Sequence, residues 1–399
     1  MINESQISRN LRAFYVSRVD LLALVLVGVI QIWTNNGLDL TAILWLQGIF
    51  GLFVMLLEFP SGVLADLTKR KYLLSGSQVF VALGVLTYLV TTSFPGFVLA
   101  EFFFSIGLAA NSGADTAFIY DTFLEVNQKS RADAVLATAK SLNFGGLIIG
   151  TILGGLLVAI NWRLPLILAA LGYLVIAYLY LVTYEPDRQQ VASSKHAIGQ
   201  SLAKIKNIRV LQLGLGFIFL DVFLKVAFWD YLPALAAFHV NPVWFGVVLA
   251  GANLVALISS LAVKRFPRLM ESFLPYFALG LLGLLLFISP SGVVILLLAI
   301  VFHQIYRGAY SVIYSIQLNE QVSSEIRASV ASLISAASFG IYFLVSLLLN
   351  RVKVSSRQVL WINLMAAGLT TIIVLLLQIR YSQRVLPQAD ITTPQLVAE

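Results

Sequence analysis

Stretches of 18 residues or more without one charged side chain recur along this chain, among them 40–57, 72–100, 141–162, 164–184, 240–263, 272–302, 328–350 and 358–379. A helix needs about 20 apolar residues to cross the hydrocarbon core of a bilayer, and no water-soluble core uses runs of that length in such number. Hydrophobic residues make up 59% and charged residues 11% of the chain, and the mean hydropathy is +0.90, all far from soluble averages. An all-α polytopic membrane protein is therefore expected. With no Cys, thiol catalysis, disulfides and thiolate metal sites are excluded. The three His, at 196, 239 and 303, are too scattered for a metal cluster, and neither metal nor cofactor is expected. Arg9, Arg12, Arg18 and Asp20 stand in front of or inside the first apolar stretch and no small-residue cleavage site follows, so this stretch reads as a retained first span.

Pro, Gly and charged residues punctuate the chain into twelve expected spans, at about 11–33, 40–64, 72–92, 96–120, 134–160, 163–183, 208–236, 242–263, 272–290, 292–318, 328–350 and 357–379. Counting basic residues at the span ends with the adjacent loop, 18 of the 26 Lys and Arg fall on the side of the N-terminus, four on the opposite side and four deeper within spans. The positive-inside rule then places both termini in the cytoplasm, in a cytoplasmic (inner) membrane. The same asymmetry accounts for the net charge of +7, leaving nucleic-acid binding nothing to explain.

The longest polar stretch, 185–207, divides the chain into a six-helix bundle over 1–184 and a second over 208–379, with a tail over 380–399. The halves match locally at an offset near 195. Lys69-Arg70 answers to Lys264-Arg265, Gly113-Ala114 to Gly308-Ala309, Ile119-Tyr120 to Ile313-Tyr314, Arg131-Ala132 to Arg327-Ala328, and Phe144-Gly145 to Phe339-Gly340. Five matches in order argue for a duplicated six-helix unit, an architecture of transporters.

Charge enters the first span (Arg18, Asp20), the fourth (Glu101, Asp115), the seventh (Asp221, Lys225, Asp230) and the tenth (His303, Arg307). An ion at bilayer depth costs at least ~2.5–3.5 kcal/mol, so these side chains are expected to face a shared polar cavity or one another. For each, the competing reading is a structural ion pair. Asp221 and Lys225 have the one-turn spacing of a local pair. His303 and Arg307 share that spacing, so His303 is neutral or has an acid nearby. Asp230 is close to a span end, where solvent is expected. Asp20 lies about 14 Å into the first span at 1.5 Å per residue and has no partner at one-turn spacing. It is the leading candidate for proton coupling, with Asp115 in reserve or as a gate and a fixed pair with Arg307 as the structural alternative. Arg18, Glu101, Asp221, Lys225, His303 and Arg307 are the candidate cavity residues.

The segment Leu57 to Lys71 resembles the signature between the second and third helices of the major facilitator superfamily: Gly62, three residues, Asp66, then a basic cluster in which Arg70 and Lys71 match. Leu67 and Lys69 depart from that pattern. The resemblance, which covers essentially the whole chain, implies a conformational latch built from Gly62, Asp66, Arg70 and Lys71, with Arg131 as one basic partner open to Asp66. Ser112-Gly113-Ala114 through Ala117-Phe118-Ile119-Tyr120-Asp121 is similar to the end of the fourth helix in a bacterial branch of the family. Gly146, Gly150, Gly154 and Gly155 resemble the glycine motif of its antiporters, with Thr151 where Pro is usual, and close helix packing explains them equally well. The Arg of the antiporters' fourth helix is replaced by Phe103.

No Walker loop is present, which removes ATP hydrolysis as the energy source. A polytopic enzyme would concentrate His, Asp or Ser at one membrane face, whereas here polar residues recur once per three spans, so no enzyme is expected. The expected function is secondary active transport by alternating access: proton-coupled export of small amphipathic or drug-like compounds, or uptake or facilitated diffusion of a small nutrient. Expected partners are a small-molecule substrate, the proton and the lipid bilayer, acting on a monomer.

Overall fold

The computed structural model describes residues 3–186, 208–265, 274–288, 290–322, 327–352, 355 and 357–369, all helix or short connection. The first half holds α1 (Glu4–Ser17), α2 (Leu21–Asn35), α3 (Leu40–Leu67), α4 (Arg70–Val90), α5 (Phe94–Asn111), α6 (Ala114–Leu124), α7 (Lys129–Ile160) and α8 (Arg163–Leu181). The second holds α9 (Ile208–Ala237), α10 (Val243–Arg265), α11 (Leu274–Ile288), α12 (Val293–Gln321), α13 (Arg327–Val352) and a helix over 357–369, α14. Side-chain caps start α1, α2, α3 and α5. Asn3 and Gln6 form a capping box on α1, Asp39 accepts the Ala42 N–H at 2.8 Å on α3, and Ser93 accepts the Gly96 N–H on α5.

Among the described residues nine helices, two of them broken, are long and apolar enough to cross a membrane. The other three expected spans are α9, whose 30 residues include Asp221, Lys225 and Asp230, and α11 and α14, which adjoin residues outside the described set. The linker residues 187–207 and the tail also lie outside it. Two expected spans need correction. The first begins at Glu4 and breaks at Arg18–Asp20, and the fourth breaks at Ser112–Gly113.

Helix α8 shows which solvent the bundle is made for. Its buried stripe is Leu166, Ala169, Ala170, Tyr173, Ile176, Ala177 and Tyr180, while Leu171, Val175 and Tyr178 are 55–63% exposed. In water that outer face would be an aggregation surface, whereas in lipid it costs nothing.

The N-terminal face is the end of the bundle where Asn10 meets Thr122 and Tyr184. The halves touch from the opposite, far face to about mid-depth. Trp33 of α2 lies 5.7 Å from Trp229 of α9, ring centre to ring centre, and Trp45 of α3 lies 5.4 Å from Phe343 of α13. A Cβ on Gly155 of α7 would sit 2.9 Å from the Gly246 nitrogen of α10, so only a glycine pair permits this crossing. On the N-terminal side α1 and α6 pack within their own half, and residues 141–144 of α7 are exposed. Among the described residues, the contacts named here between the halves thus lie from mid-depth to the far face.

Candidate functional site

Two half-helices meet at mid-bundle in the first half. Gly113 takes a left-handed conformation (φ 74°) between α5 and α6, which an L side chain resists, and the Arg18 guanidinium binds the Asp115 carboxylate across the two breaks. Arg18 stands at the C-terminus of α1 and Asp115 in the first turn of α6, so each charge is also favoured by the dipole of its own helix. Asn111 Nδ2 and the Thr116 backbone and hydroxyl add donors to Asp115. A reserve proton carrier at Asp115 therefore has to be released from Arg18 before it can act.

Asp20 caps the N-terminus of α2, accepting the Ala23 N–H at 3.3 Å, and is half-buried. It has no ion pair among the described residues. The glycine run of α7 fits against this turn. A Cβ on Gly146 would come within 2.7 Å of the Asp20 nitrogen, one on Gly150 within 3.0 Å of its carbonyl oxygen, and one on Gly154 would strike the Leu24 carbonyl. Gly155 faces the other half instead. The alternative of a fixed pair between Asp20 and Arg307 is not what forms, since Arg307 bonds to Asn253 and Gln304.

In the second half the Lys225 ammonium and Asp221 carboxylate pair at 2.6 Å, with the Ser338 hydroxyl donating to Asp221 at 2.5 Å and Phe339 beneath the ammonium at 4.3 Å. The local pair read from the spacing is present, and it ties α9 to α13. Nearby runs a chain of polar groups that the sequence did not announce. His303 Nδ1 meets the Tyr231 hydroxyl, Gln304 Nε2 donates to that hydroxyl at 3.3 Å, and Arg307 Nη1 donates to Gln304 Oε1 at 3.2 Å and to Asn253 Oδ1 at 3.5 Å. The Phe228 ring lies 5.8 Å from the guanidinium. Only His303 and Arg307 carry charge visible in a sequence; Tyr231, Gln304 and Asn253 are ordinary neutral residues until the helices assemble.

Two acids lie elsewhere than expected. Glu101 does not line the cavity. It is 5% exposed between α3, α4 and α5, where Gln47 Nε2 and the Tyr88 hydroxyl donate to it at 2.8 and 2.7 Å, and Phe97, Phe104 and Trp33 surround Tyr88. Asp230 does not reach solvent at its span end but is 7% exposed, because α9 continues past it to Ala237.

At the N-terminal face the Arg70 guanidinium binds Asp121, and both Glu185 oxygens accept the N–H groups that open α4, Arg70 at 2.7 Å and Lys71 at 2.9 Å. Lys71 Nζ also reaches the Thr183 carbonyl at 3.3 Å. Glu185, read only as the start of a linker, is thus an acidic cap at a helix N-terminus. Gly62 is exposed with open space around it. The Asp66 side chain lies outside the described residues, and Arg131 bonds to Gln128 and rests on Phe123. No group of metal-binding side chains exists among the described residues.

Known structures share this architecture across nearly the whole chain. A mutant of the nucleoside transporter NupG superposes with a TM-score of 0.74 at 14% identity, covering 93% of this chain and 98% of that one. A bacterial homolog of the human lysosomal transporter Spinster, in an inward-facing and unoccupied conformation, gives 0.71 at 15% identity over 94% and 97%. A mutant of the peptide transporter POT bound to alafosfalin gives 0.71 at 14% over 95% and 99%. No curated protein matches the sequence significantly. Residues 19–346 match the Major Facilitator Superfamily, and the chain belongs to that family of transporters.

Proposed function

We propose that the protein is a secondary transporter that exports small amphipathic compounds across the cytoplasmic membrane in exchange for protons. One observation carries this reading: among the described residues the halves meet through aromatic and glycine contacts from mid-depth to the far face, while α1 and α6 at the other face pack within their own half, which fits one of the two end states that alternating access requires. With the basic-rich N-terminal face in the cytoplasm, that arrangement reads as inward-open, ready to load cargo from the cell interior.

Asp20 serves as the proton carrier. It is an intramembrane carboxylate whose hydrogen bonds, among the described residues, are to its own helix turn, and it sits where α1 and α2 pack on α7. Loading and releasing a proton there changes how firmly α2 is capped, which links protonation to the angle between the half-helices. Arg18 and Asp115 form a gate beside it. Asp66, Arg70 and Lys71 form a latch at the cytoplasmic face that engages when that face closes, its energy modest because the loop is wet.

The test is accumulation of labelled aromatic amphiphiles in inside-out vesicles under an imposed proton gradient. Export predicts uphill uptake when the lumen is acidified and none when the gradient is collapsed. Uptake into right-side-out vesicles with inverted gradient dependence would reverse the assigned direction, and movement of nothing by either preparation would remove the transporter reading.

A further inference from the structure

We infer that Arg307 is the anchor of the substrate site and that the cargo carries an oxyanion, a carboxylate or phosphate group, joined to an aromatic or apolar body. The inference rests on the transporter reading above and narrows it to a substrate class.

The charged residues at mid-depth do not all cancel. Arg18 is neutralised by Asp115 and Lys225 by Asp221. Arg307 has no carboxylate within ion-pair distance among the described residues. Asp221, whose charge reaches it, is already held by Lys225 and Ser338. What Arg307 does have is two neutral acceptors, Asn253 Oδ1 and Gln304 Oε1, both on Nη1. A guanidinium offers five N–H donors in a planar fork, so Nη1 is used for positioning and the Nε and Nη2 edge remains. That edge matches the two oxygens of a carboxylate or phosphate.

The surroundings hold this fork rigidly. Gln304 is itself oriented by Tyr231, and Tyr231 by His303, so a chain of three hydrogen-bonded side chains on α9 and α12 backs the guanidinium. His303 and Gln304 are 2% and 0% exposed, which leaves them no rotameric freedom, whereas Arg307 itself remains half-buried. Phe228 completes the site with an apolar face beside the charge. Arg307 is near the middle of the 29-residue α12, which packs against α9, α10 and α11. A desolvated cation kept without a counter-ion is costly, and a cargo that supplies the missing anion relieves that cost only while bound.

The experiment uses the full-length purified protein and four naphthalene probes that differ in one group: 2-naphthoate, 2-naphthyl phosphate, 2-naphthamide and 2-naphthyltrimethylammonium. Binding is read by intrinsic tryptophan fluorescence. The two oxyanions should bind roughly 10- to 100-fold more tightly than the amide, the range for hydrogen bonds to a charged group, and the tighter of the two identifies the oxyanion. Arg307→Gln should erase the preference and Arg307→Lys should keep part of it. Should Arg307→Gln fold poorly, Asn253→Asp sets a carboxylate on the guanidinium while leaving Arg307 in place, and it too should erase the preference. Oxyanions that bind no better than the amide, or a preference that survives in both Arg307→Gln and Asn253→Asp, would overturn the assignment. Counterflow of the same probes in wild-type liposomes separates the two readings: exchange of the ammonium or amide probe untouched by Asn253→Asp leaves a transporter with another cargo, whereas tight oxyanion binding without exchange of any probe leaves the site and removes the transporter.

Discussion

Arg18 and Asp115, 97 residues apart, form an ion pair at the level where the first and fourth spans both break. The corresponding spans of the second half, α9 and α12, run unbroken. The two halves therefore differ in mechanics. Gly113 makes a left-handed turn, whereas Gly308, which answers to it in sequence, is helical, and a Cβ there would strike the Ala256 carbonyl of α10.

Removing one partner of the Arg18–Asp115 pair leaves an uncompensated charge in a mostly buried site and should cost about 3–5 kcal/mol of stability. Asp115→Leu is expected to lower the melting temperature strongly, and Arg18→Leu with Asp115→Leu to recover much of the loss. A double variant as unstable as the sum of the singles would mean that the two charges are independent.

Glu101 depends on its two neutral donors. Tyr88→Phe and Gln47→Leu should each destabilise the protein by about 1–3 kcal/mol, the cost of unmaking a buried hydrogen bond, and Glu101→Gln should rescue part of the loss in either background. Equal melting temperatures for wild type and Tyr88→Phe would show that the hydroxyl does nothing for the carboxylate.

The seal at the far face should respond to a single methyl group. Gly246→Ala pushes against the Thr151 carbonyl and the Gly155 backbone, so the seam should loosen and favour the opposite state. In this Cys-free chain, Ser346→Cys, 1% exposed against α3, should react with a water-soluble maleimide several-fold faster in the Gly246→Ala background. Unchanged reactivity would place the seal elsewhere.

Orientation follows from the excess of Lys and Arg on the N-terminal side. Single Cys residues at Ser194 and Ser355 should label from opposite sides of intact cells, Ser355 from outside. Labelling of both by an impermeant reagent from outside would contradict the cytoplasmic placement of the N-terminal face.

The spans were legible because uncharged runs in 40–57 or 164–184 admit no other stable form. The Asp221–Lys225 pair was legible because it is local, one turn apart. The breaks at Arg18–Asp20 and Ser112–Gly113 were not, since the pair that bridges them joins residues 97 apart and leaves no periodic trace. Glu101 read as a cavity residue because charge in a span suggests water, but two donors from neighbouring helices supply its partners instead. Arg70 was read for its place in a loop signature, and its partner Asp121 and the Glu185 cap emerge only when three helix ends meet. Depth along one helix is arithmetic on sequence; contact between helices is not.

Coupling between the Asp20 proton and cargo movement is tested most directly in proteoliposomes holding wild type or Asp20→Asn, comparing counterflow with proton-driven accumulation of the probe that wild type exchanges fastest. Loss of accumulation with counterflow retained is the predicted result, because the substituted protein still alternates but carries no proton. Proton-driven accumulation at the wild-type level by well-folded Asp20→Asn would contradict it.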